Sequence, residues 1–144
     1  MSSSTVRRAG SIAGTTLGAP TLIVVAATLI AGLAMLGFAV WALAWPQSFA
    51  DFIDFAPYNE HLIHDAGAFQ VGIGVTLLLA LRWRDSLTVS LAGFAVGSGV
   101  HAVNHFVDLH LGGHGFDGWG LGALTLLAAV GLVARVRSLR SSGL

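Results

Sequence analysis

The sequence predicts an all-α fold: a four-transmembrane-helix bundle with both termini cytoplasmic and a short interfacial helix between helices 1 and 2. Three observations predict it. The first is composition: of 144 residues, 55% are hydrophobic and only 10% are charged, with a mean hydropathy of +0.79. A soluble domain carries roughly 25% charged residues to face water, and a chain this short leaves about a third of its surface exposed. The second is spacing. No Asp, Glu, Lys or Arg falls between Arg8 and Asp51, Asp65 and Arg82, Asp85 and Asp108, or Asp117 and Arg135. The third is sidedness. Four crossings place all seven arginines on one side, and six of the seven acids with all six histidines on the other.

A membrane helix needs about 20 mostly apolar residues to cross a hydrocarbon layer roughly 30 Å thick. The gaps supply four such spans, near 21–45, 60–81, 87–109 and 116–136. They form one transmembrane domain over 20–138, flanked by a polar tail at 1–19 and a second tail at 139–144. Pro20 suits a first helical turn and Pro46 ends the first span. Arg7 and Arg8 precede span one, Arg82 and Arg84 lie between spans two and three, and Arg135, Arg137 and Arg140 follow span four. The positive-inside rule puts these segments in the cytoplasm of a bacterial cell, making this a multi-pass protein of its cytoplasmic membrane. The apolar run after Arg7-Arg8 is longer than a signal-peptide core, so the first helix is expected to be retained.

Between spans one and two, Phe49, Phe52 and Ile53 share one helical side around Asp51 and Asp54. This pattern predicts a short helix at headgroup level, either an anchoring cover or a lid. Trp41, Trp45, Tyr58 and Trp119 suit the aromatic belt on that side. Glycines 67, 72 and 74 of span two and 93, 97 and 99 of span three are expected to let helices approach closely. Zero cysteines exclude disulfide and thiolate chemistry. A formal charge of zero argues against nucleic acid as a partner. The expected partners are the lipid bilayer and either a second copy or a larger membrane protein.

Chemistry concentrates at the outer ends of spans two and three. At 100° per residue, His101, Asn104, His105 and Asp108 share an arc of roughly 100°. Glu60 with His64, and His61 with Asp65, stand one turn apart. The short Arg82–Asp85 turn suggests that spans two and three are antiparallel neighbours whose polar faces meet. Ionisable groups inside a membrane face the bundle interior and need partners. A divalent transition metal (Zn, Fe or Mn) would supply one through His64, His101, His105 and Glu60 or Asp108. His61 would be an additional ligand or would orient one. Glu60 or Asp65 would then move protons in a metal-dependent membrane oxidoreductase or hydrolase. An alternative is a non-enzymatic accessory subunit with a hydrogen-bonded, pH-sensitive His/Asp cluster. A third is haem b held between histidines such as His64 and His101. His110 and His114, in a glycine-rich loop, would be solvated or close over the site.

The segment Pro57-Tyr-Asn-Glu-His-Leu-Ile-His-Asp-Ala-Gly-Ala-Phe-Gln-Val-Gly-Ile-Gly-Val resembles small four-helix bacterial membrane proteins of the broad DoxX-like kind. The resemblance covers residues 57–75 and implies a four-helix bundle, with no catalytic residues to carry over. His61-x-x-His64 and His101-x-x-x-His105 are loosely similar to the histidine boxes of membrane di-iron enzymes but lack their adjacent His-His pair.

Overall fold

A computed structural model describes residues 21–143, so the expected tail at 1–19 and Pro20 lie outside the described residues. Those described form five α-helices and no strand: α1 (Leu22–Ala44), α2 (Pro46–Phe52), α3 (Glu60–Arg82), α4 (Leu87–Val107) and α5 (Asp117–Ser141). All but α2 are long and apolar enough to cross a membrane. Only 17–33% of the most apolar stretch of each is buried. Large apolar side chains such as Leu33, Val96, Leu126 and Val133 instead point outward, as a bundle solvated by lipid requires.

Local chemistry sets the ends. The Thr21 side chain accepts the Val24 amide and starts α1. Pro46 closes it, because the residue before a proline is pushed out of helical geometry, and Trp45 is non-helical (φ −139°, ψ 62°). Pro46 then opens α2, where a proline's missing N–H costs nothing. Asn59 Oδ1 accepts the Leu62 amide at 3.1 Å to cap α3, with Glu60 in the favoured acidic first turn. Helix α4 stops at Val107, two residues earlier than its apolar run suggests. Asp108 leads into a 3-10 turn at Leu109–Leu111, and Gly112 and Gly113 then take positive φ. Helix α5 runs on through Arg137 and Arg140 to Ser141, where a tail is expected from residue 139.

Packing departs from the expected neighbour pattern. Helix α1 lies along α3, α5 along α4, and α1 against α5, while the consecutive pair α3 and α4 meets only sparsely. Close approach explains the choice. A Cβ added at Gly74 would sit 3.0 Å from the Gly32 carbonyl oxygen, and one at Gly67 2.9 Å from Leu43 Cγ. Gly131 similarly brings α5 onto Ala27 of α1. In contrast, Gly72, Gly93 and Gly97 would meet nothing within 4 Å. Of the expected helix-packing glycines, Gly67 and Gly74 close α1 on α3, Gly99 meets Thr125 of α5, and Gly72, Gly93 and Gly97 face open space.

One core joins Val24, Ala31, Leu77, Ala80, Leu87, Leu91, Phe94 and Ala128. A second, beneath α2, joins Ala42, Phe49, Ala50 and Ile63. At the arginine-rich end the guanidinium of Arg135, 1% exposed, donates from Nη2 to the Arg84 carbonyl oxygen at 2.9 Å. This ties α5 to the α3–α4 turn. Arg135→Ala should cost about 2 kcal/mol of unfolding free energy, the usual penalty for stripping a buried acceptor of a charged donor. Arg135→Lys should recover part of it. Thermal unfolding in detergent checks both, and equal midpoints for all three proteins would contradict this role.

Candidate functional site

Because α3 and α4 stand apart, a cleft of about 1390 Å³ opens between them. Phe69, Ile73 and Leu77 of α3 face Gly93, Phe94 and Gly97 of α4 across it. Met35 and Phe38 lie on the α1 side, Leu121 and Leu124 on the α5 side, and Phe49 and Phe52 of α2 cover one end. The short helix expected at 46–55 is thus present as α2. It is also more than an anchor: Phe49 and Ala50 are buried while Phe52 lines the cleft.

Polar groups gather where α4 ends. His101, Asn104, His105 and Asp108 all line the cleft, as their shared arc predicts, and Asp117 joins them from the start of α5. His101 Nε2 and His105 Nε2 are 3.1 Å apart, their rings 4.9 Å between centroids. Asp117 stands behind His105, its Oδ2 3.9 Å from Nδ1. The same oxygen lies 3.7 Å from His114 Nδ1 and accepts the His114 backbone amide at 2.7 Å. A carboxylate beside Nδ1 favours a proton on that nitrogen and leaves Nε2 of His105 as acceptor. His101 then donates through its own Nε2–H. The result is a row of titratable side chains, His101–His105–Asp117–His114, at one end of an apolar cleft.

The α3 half of the expected site does not join this line. Among the described residues no group of three or more His, Asp or Glu side chains converges as a metal site. The set His64, His101, His105, Glu60, Asp108 is therefore not assembled, and His61 pairs with Asp65 instead, at 3.5 Å on an exposed surface. Glu60 is exposed on the first turn of α3. His64 is half-buried but does not line the cleft, so the His64–His101 pairing for a haem is not formed across it. The reason is helical phase. Ala66, Gln70 and Ile73 carry the cleft face of α3, and His64 stands about 160° around the axis from Ala66. His110 is exposed on the 3-10 turn.

Asp117 is the residue that sequence reasoning passes over, while His114, expected to be solvated or to close over the site, lies beside it. Its signal is the His114-x-x-Asp117 spacing across a helix start, where an acid in the first turn both accepts a preceding backbone amide and meets the helix dipole. Two loops close the mouth: Gly112 approaches the Asp54 carbonyl oxygen so nearly that an added Cβ would lie 3.0 Å from it. Asp54 and Gly112 both have positive φ there, 53° and 131°.

No family model, curated protein or solved structure matches this chain.

Proposed function

We propose that the chain is a four-span protein of a bacterial cytoplasmic membrane, with its arginine-rich end in the cytoplasm and the histidine end outside. In this reading it is a non-enzymatic accessory protein whose outward mouth responds to protons. The observation that carries it is the 3.1 Å approach of His101 Nε2 to His105 Nε2 with Asp117 behind. Histidine is the side chain whose ordinary pKa, near 6.5, lies inside the range of external pH change. Two imidazoles this close share one proton readily, as N–H···N. A second proton would set two cations about 3 Å apart, which repel.

The groups facing the pair are Asp117 and His114 from the α5 side, and Asn104 and Asp108 from α4. Asp54 lies at the α2–α3 loop. The DoxX-like relationship belongs to this proposal and rests on residues 57–75 alone.

A metal centre is the second reading, favoured by the same distance. Two imidazole nitrogens bound at about 2.0–2.1 Å to a tetrahedral ion stand roughly 3.4 Å apart, and a carboxylate on the far nitrogen is the usual orienting partner of a liganding histidine. In that case His101 and His105 carry over from the expected ligand set. Water and solute ligands complete the coordination.

One pair of measurements separates the readings. Histidine NMR of detergent-solubilised protein should show His101 and His105 titrating as a coupled pair, with His105→Gln abolishing the coupling. Elemental analysis should find no stoichiometric metal under the first reading. It should find about one ion per chain, lost in His101→Ala, under the second. Independent single-site titration of both rings with no bound metal would refute both.

A further inference from the structure

The cleft itself has a chemistry that neither reading uses. We propose that it binds a long-chain amphiphile with a cationic head, entering from the bilayer between α3 and α4. The proposal rests on the membrane assignment but not on histidine titration or metal binding.

The walls supply the tail site. Phe69, Ile73, Phe94 and Leu77 give an apolar channel. Gly72, Gly93 and Gly97 leave space along it where any side chain would intrude. At 1.5 Å per residue, the lining on α4 from Val89 to Asp108 extends about 28 Å, close to the hydrocarbon thickness of a bilayer. The volume of about 1390 Å³ exceeds the roughly 300–1,000 Å³ of pockets that take compact ligands. A chain-like occupant fits this shape better than a compact one.

Charge selects the head. Among the described residues Asp54, Asp108 and Asp117 line the cleft, and no arginine does. The five described arginines, Arg82, Arg84, Arg135, Arg137 and Arg140, stand at the opposite ends of the long helices. An anionic phospholipid head would meet three carboxylates without a counter-charge, whereas an ammonium group meets them favourably. Phe52, Phe55 and Phe116 line the same end, adjoining the acids in sequence, and aromatic faces are the complementary surface for alkylammonium. Gln70 adds a carbonyl oxygen, shielded from solvent and without a hydrogen-bond partner, beside the channel.

The test uses the full chain in nanodiscs of zwitterionic lipid at pH 8, where histidines of ordinary pKa are neutral. Three fluorescent probes share one sixteen-carbon tail and carry a trimethylammonium, a hydroxyl or a sulfonate head. The ammonium probe is expected to bind about tenfold tighter than the hydroxyl probe, and the sulfonate probe weakest. Gly97→Leu, which fills the channel, should lower ammonium binding at least about tenfold while unfolding within a few degrees of the parent. Asp54→Asn with Asp108→Asn should erase the preference between heads and leave tail binding. A trimethylammonium probe with a two-carbon tail should not bind, which marks entry from the bilayer. Equal affinity for the three heads overturns the proposal. So does binding unaffected by Gly97→Leu, or a dimer that Gly97→Leu dissociates and the ammonium probe does not compete with. Coupled histidine titration or metal content could fail in the same protein without altering these outcomes.

Discussion

Replacing Gly74 with valine is expected to destabilise the bundle by about 3 kcal/mol, the upper part of the usual range for overpacking a tight contact. The glycine stands where α3 crosses α1. A Cβ there would lie 2.8 Å from Leu36 Cγ and 3.0 Å from the Gly32 carbonyl oxygen. The leucine can turn aside, but the carbonyl belongs to the backbone of α1 and moves only if the helix moves. From the other helix the geometry is reciprocal: a Cβ at Gly32 would lie 2.8 Å from Leu78 Cδ2 and 3.3 Å from the Gly74 oxygen. Valine adds two further methyls, so the helices must separate and the core around Ala31 and Leu77 opens with them. Gly97→Val is the control. Its Cβ meets nothing within 4 Å, so the change should lie within about 0.5 kcal/mol, as for substitutions that touch no packed group. Unfolding in mixed micelles measures both. Comparable losses for the two variants would mean that α1 and α3 do not cross on this glycine.

The contrast between these glycines marks the boundary of what the sequence makes legible. Hydropathy gaps and capping residues place the long helices to within two residues at most ends, because each depends only on local chemistry: Thr21, Pro46, Asn59. The exception is α5, whose arginine-bearing end stays helical to Ser141. Neighbour relations are different. Glycines 67, 72, 74, 93 and 97 look alike in sequence, yet only the first and third of them are closed against another helix. Which helix a glycine meets depends on the whole bundle, and a short turn between α3 and α4 does not oblige them to pack.

The site divides along the same line. His101, Asn104, His105 and Asp108 share an arc of a single helix, a property of periodicity, and all four line the cleft. The meeting of that arc with the α3 polar face needs the rotation of α3 about its own axis. That rotation is set by Gly67 and Gly74 on α1, and it turns Ala66 and Gln70 rather than His64 toward the cleft. Asp117 enters from α5 because α4 and α5 pack closely, and its loop returns through two glycines of positive φ.

Asp117→Ala should therefore have the largest effect of any change at the mouth, about 3 kcal/mol in stability together with loss of the histidine line. Its side chain is only 17% exposed, and it does three things at once. Oδ2 accepts the His114 amide at 2.7 Å, and a hydrogen bond to a charged group contributes about 1.5–3 kcal/mol. The carboxylate sits in the first turn of α5, where the helix dipole adds about 0.3–1 kcal/mol. It also faces Nδ1 of both His105 and His114, so its removal frees the His105 ring to exchange tautomers and breaks the directed contact to His101. Asp117→Asn separates these contributions. The amide oxygen still accepts the His114 N–H, so most of the stability should return, but the negative charge beside Nδ1 of His105 does not. The asparagine protein should thus unfold near the parent midpoint while the His105 ring loses its preference for a proton on Nδ1. Thermal unfolding and histidine NMR on the same sample read the two quantities independently. An alanine protein as stable as the parent would remove Asp117 from the anchor of α5. An asparagine protein with an unchanged His105 tautomer would remove its charge from the mouth.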